Sequence, residues 1–391
     1  MIWIRSAALG LAALLAVTTL SRGEELAEEP YRLVRELTRL QDQVAAGRRK
    51  AYPAQHDLTA ALSAKLAAAA PKSWGDARNR RAAVLFVLSG GAPAILRTLL
   101  SQGRFPDAET ELAAGVLAYA EGRSLEARAH LAGIDARSLD PSLAGAVALV
   151  QSSLAAESDH PARVLGLLDQ ARLLSPGTLV EESALRRQIF LLLEAKEPER
   201  ANFLLRRYIR RFARSDYAIA FWDQFAAKLA EQPTSENSKH LAELESSLKK
   251  ADAEVQGWIY LSLARQGIAR GNRFLVQFAA PRAALWQPNA VRASLYEAAA
   301  LVLTDDYDRA VSMLMNMNAR QFTNEDAGLR EAALSVARQI RRLPSDDGQA
   351  STPIGEAESP ARELSQIGRG TIERAAAMIA DVDALLNEGP Q

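Results

Sequence analysis

Five arginines crowd the string LLRRYIRRFARS at 204–215: Arg206, Arg207, Arg210, Arg211 and Arg214, with no acid among them. At helical spacing these positions share one broad face. Such a face can dock an acidic partner through charge-assisted hydrogen bonds. It can equally be a solvated face whose neighbours Tyr208 and Phe212, spaced four apart, enter a core. Phosphate tracking fits the chain as a whole poorly. The 391 residues carry 47 Lys+Arg against 47 Asp+Glu, whereas nucleic-acid binders show a basic excess. The five arginines are therefore candidate partner-docking residues.

Other residue types that do chemistry are sparse. With no cysteine there is no disulfide framework, thiol nucleophile, iron–sulfur cluster or thiolate zinc site. The four histidines (His56, His130, His160, His240) are at least thirty residues apart and form no HExxH or paired spacing. No G-x-S-x-G elbow or phosphate loop occurs. The LSGGAPAIL string at 88–96 places Gly90-Gly91 and Pro93 ahead of a helix. Helix N-termini can bind anions, but a Gly-rich inter-helix turn explains the same residues. Glu358-Ser359 and Glu182-Ser183 are the dipeptides that an exported lytic transglycosylase would use. The first leaves only about thirty residues for a catalytic domain, and the second falls in a capped helix. No catalytic, metal-binding or cofactor-binding residue is assigned, no cofactor is expected, and the protein is read as a non-enzyme.

The elements that must position the arginines are helical. Ala and Leu dominate, aromatics make up 6% of the chain, and the 48% hydrophobic and 24% charged content is ordinary for a globular protein. Internal repetition organises the chain. Six stretches read as a turn and then a helix with a small or apolar residue five positions on and another nine on. They are Gly90 (Ile95, Leu99), Gly122 (Ala127, Leu131), Asp159 (Val164, Leu168), Lys196 (Ala201, Leu205), Gly271 (Val276, Ala280) and Asp305 (Ala310, Leu314). The intervals of 32, 37, 37, 75 and 34 residues leave room for a degenerate member near Ser238. A period in the mid-thirties predicts an all-α, tetratricopeptide-like solenoid of helical hairpins, which must stack because none buries its apolar face alone.

Local signals mark the helix ends. Asp140-Pro141 and Glu197-Pro198 place Pro in a first turn. Thr178 and Glu181 have capping-box spacing, and Gly47, Gly103 and Gly122 close apolar-periodic segments. Residues 30–46 form an amphipathic helix standing outside the repeats, with Leu33, Val34, Leu37, Leu40 and Val44 on one stripe. Residues 1–23 read as a cleaved signal peptide: Arg5, an uncharged run from Ser6 to Leu20, then Ser21 and Gly23 before the cut. An uncleaved anchor is the rival, although fifteen residues fall short of the ~20 needed to span. Cleavage would leave 45 positive against 47 negative residues. The solenoid is expected over 24–344, a Gly/Pro/Ser-rich linker over 345–360, and an amphipathic helix over 361–391 that caps the solenoid or binds a partner.

The leader, YRLVRELTRLQDQVAAG at 31–47, ARNRRAAVLFVLSGGAPAILRTLL at 77–100 and the repeats after them resemble the periplasmic motility (chemotaxis) protein MotC family of α-proteobacteria. The resemblance runs from about residue 30 to 345 and is most specific over Ala82–Leu100. It implies a periplasmic, non-enzymatic component of the flagellar motor. Such a component acts on the periplasmic part of the stator protein MotB and is required for rotation. A helical-repeat scaffold for another envelope machine, in cell-wall synthesis or division, is the alternative.

Overall fold

The computed structural model describes residues 29–48, 50–157, 161–231, 234–286, 288 and 290–342. The expected leader, linker and terminal helix lie outside these residues, as do Asp159 and His160. Among the described residues all regular structure is helical, in seventeen α-helices and a few short 3₁₀ turns, as the composition requires.

The chain divides into two compact units, Met1–Leu191 and Leu192–Gln391. The first contains α1 (Pro30–Ala45), α2 (Ala51–Ala67), α3 (Ala77–Leu88), α4 (Ala94–Ser101) and α5 (Asp107–Ala120). It continues with α6 (Ser124–Leu131), α7 (Pro141–Ala156) and α8 (Pro161–Leu174), and the boundary falls inside α9 (Leu179–Glu194). Here α3 packs on α4, α5 and α7, α5 pairs with α6, and α7 pairs with α8. The second unit contains α10 (Pro198–Phe212), α11 (Ala218–Ala230), α12 (Thr234–Leu248) and α13 (Ala253–Ala269). After them come α14 (Arg273–Ala284), α15 (Ala290–Leu301), α16 (Tyr307–Asn316) and α17 (Asn324–Arg342). In it α11, α13, α15 and α17 pack each on the next, while α14 and α16 each contact the helix before and the helix after.

The twelve register residues named from sequence are all buried. Ile95 and Leu99, Ala127 and Leu131, and Val164 and Leu168 serve the first unit. Ala201 and Leu205, Val276 and Ala280, and Ala310 and Leu314 serve the second. Each pair lies on the helix that follows its turn, and at two of the turns the paired helices come close. A Cβ on Gly115 of α5 would fall 2.6 Å from Leu131 of α6, and one on Gly267 of α13 would fall 2.8 Å from Val276 of α14. A side chain at either place would force its neighbour to shift. The degenerate member near Ser238 is helical, as α12, but its buried residues are Leu241, Leu244 and Leu248. Glu243 and Ser247, at offsets five and nine from Ser238, are only half-buried.

Most local signals are realised. Pro141 and Pro198 open α7 and α10, and the Asp140 side chain accepts from Ser142 N–H at 3.0 Å. Gly47, Gly103 and Gly122 close α1, α4 and α5 with φ of 75°, 62° and 74°. At Gly122 the N–H reaches the Tyr119 carbonyl at 3.1 Å and the next N–H reaches Ala118 at 2.8 Å. That pair of bonds defines a Schellman ending. One expectation needs correcting. α1 does not stand apart from the array: it packs on α2 and α3 and merges Leu33, Val34 and Leu37 into the core of the first unit with Trp74 and Phe86. An apolar stripe of that strength must be covered, and the nearest cover is the next hairpin.

Candidate partner-docking surfaces

α10 is shaped by its own composition. Pro198 supplies a preset first turn, Glu199 sits at the positive end of the helix dipole, and Arg210 and Arg211 sit at the negative end. Its apolar stripe, Ala201, Leu204, Leu205, Tyr208, Ile209 and Phe212, is buried. Tyr208 is wholly buried in an aromatic cluster, with ring centroids 4.4 Å from Phe221, 5.9 Å from Trp222 and 6.1 Å from Phe212. The two aromatics of the arginine string are therefore core residues, and they fix the rotation of α10.

That rotation turns the arginines outward. Arg206, Arg210, Arg211 and Arg214 are exposed and Arg207 is half-buried, so the structure brings all five to one side of the element. They are not equivalent. The Arg211 guanidinium lies 5.7 Å from the Phe212 ring centroid. Just past the helix end, Arg214 pairs with Asp252 at 2.7 Å across an exposed gap.

The remaining sequence candidates have structural explanations. Gly90 has φ of 88°, and the Gly91 N–H donates to the Phe86 carbonyl at 2.9 Å, so the pair forms the turn between α3 and α4. Glu182 is buried on α9 with the Arg186 Nε 3.8 Å away. Next to it, Glu181 accepts from Gly177 N–H at 2.6 Å while its own N–H points to Thr178 Oγ1 at 3.5 Å, which is the expected capping box shifted by one residue. His56 is exposed, and His130 Nδ1 lies 2.7 Å from Glu111 Oε2.

A second surface was not anticipated. Within the second unit, α11, α13 and α15 line a groove of about 270 Å³. Trp222, Trp258 and Tyr296 line it from these three helices, at intervals of 36 and 38 residues. That interval matches the repeat period and was the available signal. Polar groups share the groove with them. Asp223 accepts from Ser262 and pairs with Arg265, and Arg292 reaches Asp326 at 3.1 Å and the Tyr296 hydroxyl at 3.4 Å. Burial pushes the Tyr296 phenol above its ordinary range, so it keeps its proton.

The family model described as "Chemotaxis protein MotC" matches residues 2–391. The chain belongs to the MotC family. It is also 29% identical over 369 residues to the Chemotaxis protein MotC of Rhizobium meliloti (strain 1021), covering 93% of this chain and 84% of that one. No solved structure matches it. Among the described residues no helix is long and apolar enough to cross a membrane.

The Ala82–Leu100 stretch spans most of α3 and α4. Just ahead of it stands a buried polar hub. The Asn79 amide donates to Glu29 at 2.7 Å and to the Ser73 carbonyl at 2.8 Å, and its oxygen accepts from Tyr31 N–H at 3.0 Å. Arg80 holds Glu109 of α5 through Nε at 2.7 Å and Nη2 at 3.1 Å, and Nη1 meets the Trp74 and Gly75 carbonyls. In this MotC chain the ARNRR string is thus an anchor between helices.

Proposed function

We propose that this MotC-family protein is a periplasmic, non-enzymatic component of the flagellar motor. It binds the periplasmic part of the stator protein MotB and is required for rotation rather than for assembly of the filament. The observation that carries this reading is the family match over residues 2–391. The leader-like residues 1–23 support an exported chain. In this reading the hairpins stack as a tetratricopeptide-like solenoid over 24–344, an architecture that presents extended surface for protein contact. The arginines at 206, 207, 210, 211 and 214 give that surface a positive patch suited to an acidic partner.

The test is an in-frame deletion. Mutant cells should carry normal filaments by electron microscopy yet fail to spread in soft agar or to rotate when tethered. Parental swimming would overturn the reading. A motile mutant with altered cell shape would instead assign the chain to a cell-wall scaffold. Purified mature protein should bind the purified periplasmic part of MotB by titration calorimetry, and no heat at any salt concentration would remove MotB as the direct partner.

A further inference from the structure

Among the described residues the second unit ends one helix short of its own pattern. α14 packs against α13 and α15, and α16 packs against α15 and α17, so each covers the helices on either side of it. α17 meets α15 and α16 and is the last described helix. Its burial reflects that position. α13, held by α11, α14 and α15, buries eight residues, whereas α17 buries Asp326, Ala333 and Ala337 among the described ones. Leu329, Ala332, Val336 and Ile340 stay half-buried. At helical spacing these four share one stripe beside the buried alanines. The stripe spans about 17 Å of helix.

The chain carries a matching stripe of its own. Ile372, Ala375, Ala376, Ile379, Val382 and Leu386 repeat at helical spacing over about 21 Å. Residues 343–360 join the two stretches, and a chain of that length reaches at most about 60 Å. That is about twice the length of α17, so the segment can lie along it in either direction. A short tether holds a segment at ~mM effective concentration, a level that a free protein of equal affinity has to exceed.

We propose that residues 361–391 form a helix that seats on the Leu329–Ile340 stripe of α17 and closes the second unit as a cap. Helical arrays need such a cover at their ends, because an open end leaves apolar surface in water. With the two stripes centred on each other, Ile379 lies opposite Val336 whichever way the segment runs. The inference does not depend on what the protein binds in the motor.

Because the chain has no cysteine, disulfide trapping in the full mature protein gives a clean test. Val336→Cys with Ile379→Cys should form an intramolecular disulfide under oxidised glutathione, read by intact mass and tryptic mapping. Glu331→Cys with Ile379→Cys puts the first thiol on the exposed side of α17 and should close at least tenfold more slowly. Ile379→Asp should lower the melting temperature by about 3 °C. Added to Val336→Asp it should lower it no further, because that contact is already lost. Equal trapping rates for the two pairs would leave the segment to a partner and overturn the proposal. A disulfide-linked dimer as the main product would give the stripe to a second copy, which also overturns it, as would a parental melting temperature for Ile379→Asp.

Discussion

Arg80 shows what a buried cation requires. Its side chain keeps only 10% of its exposure, and Glu109 with two carbonyls meets its donors. Removing the carboxylate strands that charge, which for a buried pair costs ~3–5 kcal/mol. Glu109 is 31% exposed, so water recovers part of the loss, and Glu109→Ala should cost about 2–3 kcal/mol by urea denaturation. Arg80→Met should cost less, and equal costs would contradict this account. Asp216 presents the opposite case. Burial pushes its carboxyl above the ordinary Asp range, and Oδ2 has no partner among the described residues. Ionisation is thus harder in the folded chain than in the unfolded one. The stability tied to this group is greatest below the ordinary Asp value of ~3.9 and is lost as pH rises through the raised folded value. Asp216→Asn should therefore melt higher than the parent at pH 7, with the difference fading on acidification below that range. A variant less stable at pH 7 would refute it. Neither residue was legible beforehand, because the partners of Arg80 and the burial of Asp216 depend on distant chain segments.

At the scale of elements, the turns between helices share one chemistry. Gly90, Gly122 and Gly271 open three of the six repeat stretches in left-handed backbone, and Lys196 does the same with φ of 57°. Its N–H reaches Leu193 at 3.2 Å and the Glu197 N–H reaches Leu192 at 2.8 Å, the same ending as at glycine. Left-handed backbone costs a side-chain-bearing residue ~1–2 kcal/mol, and glycine's greater freedom in the unfolded chain returns ~0.5–1 of that. Lys196→Gly should therefore stabilise by about 0.5 kcal/mol, read as a higher melting temperature; a lower one would mean the turn is not strained. Ala201, 1% exposed on α10, tests packing. Ala201→Phe should overpack it and cost ~1–3 kcal/mol, whereas Phe at exposed Ala220 of α11 should change little. Caps and register were readable from sequence because they obey short-range rules: Pro141, Thr178 with Glu181, and the residues five and nine past each turn. The placement of α1 and the different burial pattern of α12 were not, since each depends on which neighbour covers an apolar stripe.

For the molecule as a whole, balanced charge makes local patches decisive. The arginine string was legible as a patch, and the structure separates its members. Arg206 and Arg210 are exposed on α10, whereas Arg214 pairs with Asp252. Reversing Arg206 and Arg210 to Glu should leave the circular dichroism melt within ~0.5 kcal/mol of the parent. On the proposed MotB reading it should also weaken that binding, most strongly at low salt, where the Debye length exceeds its ~8 Å physiological value. Unchanged affinity at low salt would remove these two arginines from the interface. The groove was illegible for a different reason: its aromatics look like ordinary core residues until three helices align them. That alignment also gives the protein an intrinsic optical probe. Of its five tryptophans, Trp222, Trp258 and Trp286 belong to the second unit, with Trp258 edge-on to Trp286 at 6.1 Å. Trp74, 4% exposed, serves as a constant background in the first unit. Half-buried Trp258 reports its hydration through emission wavelength, so any change at this surface can be followed in the untagged protein by colour alone.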